Sequence, residues 1–261
     1  MSPLTFGWNI AGTVDMVGSE VDLKVGDPIW GHLDFDPFQK QGSYSEYVVM
    51  RANAVAIRPN NLEAAKAASF ATTGLTALQA IRNYGGLESG KTLLVIGAGG
   101  GIGGVAVGLA KQLGAEVIAV CSTRDIEKVK LRGADKVIDR KNEDFTKSGI
   151  KVDVILDTPS KYNFSKCSQL LKCGGTYVDL HPWTLFSGFL QALVSGKKCK
   201  FAQVQSKRED LELLGEWILE GMPLPISIES HFPFRYLGEA LHQRLKLSRS
   251  GAIAVTIEGG W

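Results

Sequence analysis

Eight residues between Gly97 and Gly104 carry the clearest chemical signal in the chain, because six of them are glycines. The apolar run Leu93–Ile96 precedes them, and an amphipathic helical pattern follows. Glycines let the backbone turn tightly and leave room for a diphosphate to approach. The free N–H groups and partial positive charge at the start of a helix favour an anion there. The stretch therefore predicts a dinucleotide-binding turn.

The register of these glycines is open, because three triplets match a nucleotide-binding spacing. The triplets are Gly99/Gly101/Gly104, Ala98/Gly100/Gly103 and Gly97/Gly101/Gly103. The last has the spacing of short-chain dehydrogenases, and Tyr162 with Lys166 supplies their Tyr-x-x-x-Lys pair. However, the glycines lie too far from the start for that class, and the pair follows them too soon. We therefore expect Tyr162 and Lys166 to lie on one exposed helical turn.

The residues after the second apolar run indicate which nicotinamide cofactor is bound. In NAD sites an Asp or Glu about 20 residues beyond the glycines accepts hydrogen bonds from the ribose. Here the run is followed by Ser122, Thr123 and Arg124, whose hydroxyls and guanidinium suit a phosphate. Arg140, after the third predicted strand, adds a second charge. These residues predict NADPH; the alternative is that Arg124 is a solvated helix-start residue whose charge Asp125 partly cancels.

Short apolar runs alternate with helical patterns from Lys91 onward, which predicts a parallel sheet covered on both faces. The six predicted strands are Thr92–Ile96, Glu116–Cys121, Lys136–Ile138, Val152–Leu156, Thr176–Leu180 and Phe201–Val204. Before this region lie β-rich stretches and a helix over about Leu62–Ile81, broken near Thr72–Gly74. The predicted fold class is α/β, a doubly wound parallel sheet inserted in a partial β-rich domain. We assign residues 73–221 to the insert, and residues 1–72 and 222–261 to the β-rich domain.

Composition excludes several classes of protein. A net charge of +2, with no basic cluster among aromatic residues, argues against a nucleic-acid or membrane-surface protein. No apolar run approaches the roughly 20 residues of a membrane span. The four cysteines form no Cys-x-x-Cys pair, and the four histidines have no metal-binding spacing, so no metal is expected. The chain starts without a secretory signal, which predicts a soluble, cytoplasmic protein.

Six stretches taken in order resemble the zinc-independent medium-chain dehydrogenase/reductases, and among them the quinone oxidoreductase-like enzymes. They are GWNIAGTVDMVGSEVDLKVGDPIWG, GSYSEYVV, GLTALQAI, GAGGGIGGVAVGLAKQLGAEVIAV, GADKVID and VDVILDT, which together represent nearly the whole chain. The resemblance implies a Rossmann sheet inserted in a GroES-like catalytic domain, and NADPH-dependent reduction of quinones or α,β-unsaturated carbonyls (enals and enones). It also implies a homodimer, which we expect along the apolar edge strand Phe201–Val204.

The resemblance also assigns residues to parts of the cofactor. They are Gly100, Gly101, Ile102 and Gly103 for the diphosphate, Ser122 and Arg124 for the adenosine phosphate, and Thr73, Thr76, Leu180 and His181 for the nicotinamide half. The chain departs from the family in having Asn9 for an Asp, Arg140 for a Tyr and Ala252 for a Lys. It also enters the family pattern some tens of residues late, so we expect an N-terminal truncation, and organelle targeting stays open.

Catalysis in such an enzyme does not require an acid–base pair, because solvent can protonate the product. Tyr44 and His181 are the candidate hydrogen-bond donors to the substrate oxygen. Each also has a structural interpretation, since His181 precedes Pro182 in a turn and Tyr44 lies in an alternating predicted strand. The alternative function is that of a catalytically impaired paralogue, which binds NADPH as a sensor or partner protein.

Overall fold

The computed structural model describes residues 6–34, 41–182, 185–246 and 251–257. Its contacts divide the chain into two compact units. One unit joins Met1–Leu75 to Gln205–Trp261, and the other is Thr76–Val204, which is inserted between them in sequence. The first boundary falls inside helix α1 (Ala64–Gln79). The predicted arrangement of an inserted domain is therefore observed.

A six-stranded parallel sheet forms the centre of the inserted unit. Its strands are β4 (Thr92–Ile96), β5 (Glu116–Cys121), β6 (Lys136–Asp139), β7 (Val152–Asp157), β8 (Leu171–Asp179) and β9 (Lys198–Phe201). The connecting helices are α2 (Gly101–Gln112), α3 (Ile126–Leu131), α4 (Phe164–Cys167) and α5 (Leu185–Val194). Every residue of β4 is buried, as a strand covered on both faces requires. The doubly wound α/β fold is confirmed.

The order of the strands defines where a ligand can bind. The order is β6-β5-β4-β7-β8-β9, so successive strands are added in opposite directions on either side of β4 and β7. Such a reversal opens a crevice beyond the carboxyl ends of the strands, where sheets of this kind bind ligands. Ile96 at the end of β4 pairs with Asp157 at the end of β7. The glycine turn starts directly after Ile96 and therefore lies at this crevice.

The other unit contains a three-stranded antiparallel sheet, as expected for a GroES-like domain. Its strands are β1 (Asn9–Thr13), β2 (Pro28–His32) and β3 (Val55–Ile57). Leu23, Ile29 and Val55 form a small buried cluster in this unit. The unit also contains the first part of α1, and α6 (Arg208–Leu219), β10 (Ile228–Pro233), α7 (Leu237–Lys246) and β11 (Ala252–Thr256), with β10 and β11 paired in parallel.

Helix α6 belongs to the unit with the antiparallel sheet, and the expected domain boundary at residue 221 is replaced by one after Val204. The helix packs against the segment that follows β3. Asn61 Nδ2 donates to the carbonyl of Ile218 at 3.3 Å, and a Cβ on Gly215 would lie 3.2 Å from Pro59. The amphipathic pattern predicted the helix itself, but its buried face is directed by these distant residues.

Four local predictions differ from the structure, and one concerns β8, which begins at Leu171 rather than at Thr176. The stretch 42–50 forms bends and extended chain, with the amide groups of Ser43 and Tyr44 donating to the carbonyls of Gly7 and Phe6. Helix α1 continues through Gly74 without a break. A Cβ at this position would lie 2.9 Å from the Phe70 ring, so the glycine serves close packing rather than a turn. The edge strand lies at Lys198–Phe201, three residues before its predicted position.

Candidate cofactor site

The glycine turn connects β4 to α2 through a backbone that only glycine adopts readily. Gly97 has a φ of +85°, in the left-handed region. Its amide group and that of Ala98 donate to the carbonyl of Val120 at 3.0 and 3.1 Å. The amide group of Gly100 returns to the carbonyl of Gly97 at 2.9 Å, and α2 begins at the next residue. The turn is therefore anchored to both β4 and β5.

The glycines that follow have different steric roles. A Cβ on Gly103 would lie 2.4 Å from the carbonyl oxygen of Gly97 and 3.1 Å from the Cα of Ala98. A Cβ on Gly104 would collide only with the guanidinium of Arg132, which is the end of a flexible side chain. A Cβ on Gly101 would meet nothing within 4 Å. Gly103 is thus the glycine that lets helix and strand pack closely, which favours the two triplets ending at Gly103.

The first turn of α2 is open to an anion. Gly100 occupies the N-cap position, where it offers no side chain to cap the helix. The first hydrogen bond along the helix runs from the amide of Gly104 to the carbonyl of Gly100, at 2.9 Å. The amide groups that precede it are those of Gly101, Ile102 and Gly103, and the orphan donors at a helix start bind phosphate groups well.

At the end of β5, the hydroxyl groups expected to bind phosphate hydrogen-bond to carboxylates instead. Ser122 Oγ donates to Asp125 Oδ2 at 2.6 Å, and Thr123 Oγ1 donates to Asp139 Oδ2 at 2.7 Å. The Asp125 carboxylate also lies against the glycine turn, where a Cβ on Gly99 would be 2.5 Å from its Oδ2. An acidic group, four residues after the strand ends, therefore stands beside the glycine turn at the carboxyl end of β5, where the ribose of a dinucleotide is expected (the ribose corner).

Three guanidinium groups belong to segments around this corner. Arg124 has 72% of its side chain exposed, and its Nε lies 3.7 Å from Asp125 Oδ2. Arg140 follows β6, is exposed, and is tied through its amide group to the carbonyl of Cys121 at 3.0 Å. Arg132 Nη1 donates to the carbonyl of Ala98 at 3.2 Å. Burial lowers the pKa of Arg132, against the raising effect of the nearby Asp125 charge.

Arg132 was not anticipated from the sequence, and no local signal identifies it. It lies 28 residues beyond Gly104 and follows the short helix α3, yet its guanidinium rests on the first turn of α2. Asp125 was named from the sequence only as a residue that partly cancels the Arg124 charge, although its position four residues after β5 also made it a candidate for the ribose.

The remaining predicted residues are divided between the two units: Leu180, His181 and Thr76 belong to the inserted unit, and Thr73 and Tyr44 to the other. Leu180 and His181 follow β8 at the carboxyl end of the sheet, where His181 is exposed and its amide group donates to Asp179 Oδ1 at 2.8 Å. Thr76 is buried. Thr73 Oγ1 is 3.4 Å from the carbonyl of Ser69, an ordinary bond within a helix.

Tyr162 and Lys166 do not share one exposed turn. Tyr162 precedes α4, and its half-buried ring packs edge-on against Phe145 with centroids 4.8 Å apart. Its amide group donates to Asp157 Oδ2 at 3.0 Å, and burial raises its pKa. Lys166 is exposed on α4. The Tyr-x-x-x-Lys match is thus a coincidence of spacing in which the tyrosine supports the core.

The described residues contain neither a cluster of metal ligands nor a helix that could span a membrane. No three or more His, Cys, Asp or Glu side chains in those residues gather as a metal site would require. No described helix has the length and apolar character needed to cross a membrane. His32 is the most buried histidine among the described residues, and its Nδ1 lies within hydrogen-bond distance of Thr72 Oγ1, at 2.7 Å, rather than beside other metal-ligand side chains.

A parallel sheet with this strand order, a glycine turn and an open helix N-terminus define a dinucleotide-binding fold of the Rossmann class. A family model described as zinc-binding dehydrogenase matches residues 132–250. The mitochondrial NAD(P)H oxidoreductase RTN4IP1 of Homo sapiens is 34% identical over 284 residues, which cover 98% of this chain and 70% of that protein. The 2-methylene-furan-3-one reductase of Solanum lycopersicum is 32% identical over 240 residues, covering 90% of this chain and 58% of that protein.

A solved structure agrees with these relatives. The quinone oxidoreductase from Coxiella burnetii matches with a TM-score of 0.81 at 27% identity, covering 98% of this chain and 80% of that one. The chain belongs to the medium-chain dehydrogenase/reductase family and is quinone oxidoreductase-like. The family resemblance read from the sequence is therefore confirmed, and the protein is an oxidoreductase that uses a nicotinamide cofactor.

Proposed function

We propose that the protein reduces quinones or α,β-unsaturated carbonyls by hydride transfer from NADPH, without zinc. The observation that carries the proposal is the open N-terminus of α2 after a glycine turn at the sheet reversal. Two relatives support the substrate class by name, one as a reductase of an exocyclic enone and one as a quinone oxidoreductase. Zinc is left out because the described residues gather no set of three ligands.

The cofactor would be held in parts by different segments of this chain. The amide groups of Gly101, Ile102 and Gly103 would bind the diphosphate, with Gly100 leaving the approach clear. Leu180, His181, Thr73 and Thr76 are proposed for the nicotinamide half, as the family resemblance implies. When bound, NADPH supplies the hydride from its nicotinamide ring.

Preference for NADPH would depend on the balance of charge at the ribose corner. Arg124 and Arg140 can form charged hydrogen bonds with a 2′-phosphate. The hydroxyl groups of Ser122 and Thr123 would also bind it, once they leave their present hydrogen bonds with the carboxylates of Asp125 and Asp139. Asp125 opposes a phosphate through its negative charge. The exposed Arg124 side chain is free to turn toward a ligand, since only a 3.7 Å ion pair with Asp125 holds it.

The chain would align its two substrates and stabilise the oxygen that becomes electron-rich after hydride transfer. Tyr44 and His181 are the proposed donors to that oxygen, and solvent can complete protonation. The proposed homodimer would join through β9, because this strand forms one edge of the parallel sheet.

The experiment is a spectrophotometric assay of NADPH oxidation with a panel of quinones, enals and enones, paired with a direct binding titration. We expect turnover with at least one member of the panel and tighter binding of NADPH than of NADH. Arg124→Ala should remove most of that preference, whereas Lys128→Ala, an exposed cation on α3, should leave it unchanged. NADPH binding without any turnover would instead support a sensor or partner protein, and absence of binding would overturn the proposal.

A further inference from the structure

Two aspartates end neighbouring strands at the crevice and are fully buried. Asp157 is the last residue of β7, Asp179 is the last residue of β8, and the register pairs them directly. Neither residue exposes any surface to solvent. Paired residues on neighbouring parallel strands project to the same face of a sheet, so both carboxyl groups lie on one face. Asp157 also pairs with Ile96, immediately before the glycine turn.

The Tyr177 hydroxyl joins the two carboxyl groups but cannot satisfy both. It lies 2.9 Å from Asp157 Oδ2 and 3.4 Å from Asp179 Oδ2. A phenol has one proton to donate, so at most one carboxylate receives it at a time. Asp157 Oδ2 also accepts from the amide of Tyr162, but Asp157 Oδ1 is buried and has no hydrogen-bond partner in the described part of the chain.

Asp179 is better provided with donors. Its Oδ1 accepts the amide group of His181 at 2.8 Å and the hydroxyl of Ser160. These bonds hold two segments that border the crevice, one after β7 and one after β8. By contrast, the unpartnered oxygen of Asp157 is a place for a proton.

The surroundings of Asp157 favour its neutral form near neutrality. The titratable groups that face it are Asp179 and Tyr177 from β8, Tyr162 from the following loop, and Cys167 from α4. Burial, with a further contribution from the Asp179 charge, raises the pKa of Asp157 to about 6 against its hydrogen bonds. Burial raises the pKa of Cys167 to about 12 and raises that of Tyr177 as well, so both stay neutral.

We propose that Asp157 and Asp179 form a proton-exchanging pair that holds one proton beside the reduced cofactor and releases it beside the oxidised cofactor. The inference rests on the proposed function, because it requires a nicotinamide cofactor at this crevice. Loss of a hydride, with its two electrons, leaves one more positive charge at the nicotinamide. Release of the Asp157 proton to solvent leaves one more negative charge nearby, so the local charge balances. Asp157 and Asp179 are thus positioning residues rather than catalytic ones.

The test is isothermal titration of NADP⁺ and NADPH, and of NAD⁺ and NADH, in buffers that differ in ionisation heat. Near the pKa of about 6, Asp157 is half-protonated in the free protein, so the oxidised form should release up to roughly half a proton and the reduced form should take up as much. The difference should vanish by pH 8. Asp157→Asn should abolish it, whereas Asp153→Asn, at the opposite end of β7, should retain it.

A second variant separates proton exchange from a purely structural role. Tyr177→Phe removes a hydrogen bond that favours the ionised Asp157, so the pH of greatest proton release should move upward. This measurement decides the matter even if Asp157→Asn does not fold. Equal proton release with oxidised and reduced cofactors in the unaltered protein would overturn the pair's role while leaving the proposed function intact. No binding of any of the four would overturn both.

Discussion

Adding one methyl group at Gly103 or at Gly101 should produce opposite results, although the two glycines are only two residues apart on α2. A Cβ on Gly103 would lie 2.4 Å from the carbonyl oxygen and 2.8 Å from the carbonyl carbon of Gly97. Ordinary contact begins at 3.4 Å, so helix and turn must separate by close to 1 Å. A Cβ on Gly101 meets no atom within 4 Å.

The energies follow from these distances. Forcing an extra carbon into a packed region costs about 1–3 kcal/mol, and the overlap with rigid backbone places Gly103→Ala near the upper value. Alanine recovers about 1 kcal/mol in a helix relative to glycine. The net destabilisation of about 2 kcal/mol corresponds to a fall in melting temperature of roughly 4–8 °C. Gly101→Ala has only the favourable term, so its melting temperature should stay the same or rise slightly.

Calorimetry and NADPH titration should therefore separate the two variants. Gly103→Ala should lose stability. Gly101→Ala should stay folded and lose at least about tenfold in affinity, because its methyl group would enter open space at the start of α2, where the diphosphate is proposed to bind. Gly104→Ala is the control, since the Arg132 side chain can move aside. Unchanged stability of Gly103→Ala together with a large loss in Gly104→Ala would refute the assignment of Gly103 as the packing glycine.

Three further predictions concern charge and exposure. Asp125→Asn should strengthen NADPH binding relative to NADH by about tenfold, opposite in sign to Arg124→Ala, because a negative charge leaves the ribose corner; equal ratios in titrations of both variants would contradict this. Asp157 binds a proton more tightly in the folded than in the unfolded protein. The free energy of unfolding of the unaltered protein, relative to that of Asp157→Asn, should therefore fall by up to about 3 kcal/mol as pH rises from 3.8 to about 6. Urea unfolding would measure this, and a pH-independent difference would exclude the raised pKa. Iodoacetamide should label the exposed Cys173 in the native protein and spare the buried Cys167, with mass spectrometry as the readout; equal labelling would mean that α4 opens readily.

Local residue patterns predict much of the fold. The parallel strands are short apolar runs, and four of the six were predicted within one residue of their observed bounds. The apolar residues of α2 repeat at helical spacing, so a helix was predicted there too. The dinucleotide turn was also predictable, because a strand, a glycine cluster and a helix follow one another within a few residues. The family resemblance came from the order of such motifs and was confirmed.

What the sequence left open depends on contacts between distant residues. Three glycine triplets are equivalent in spacing, and only the close approach of α2 to the turn distinguishes Gly103. Arg132 reaches the glycine turn only in the folded chain, where its Nη1 donates to the carbonyl of Ala98. Asp157 and Asp179 become neighbours through the register of β7 and β8, although 21 residues separate them along the chain. Hydrophobic periodicity specifies which face of an element is buried, but the elements that cover that face, and the polar groups they bring together, are decided by tertiary packing.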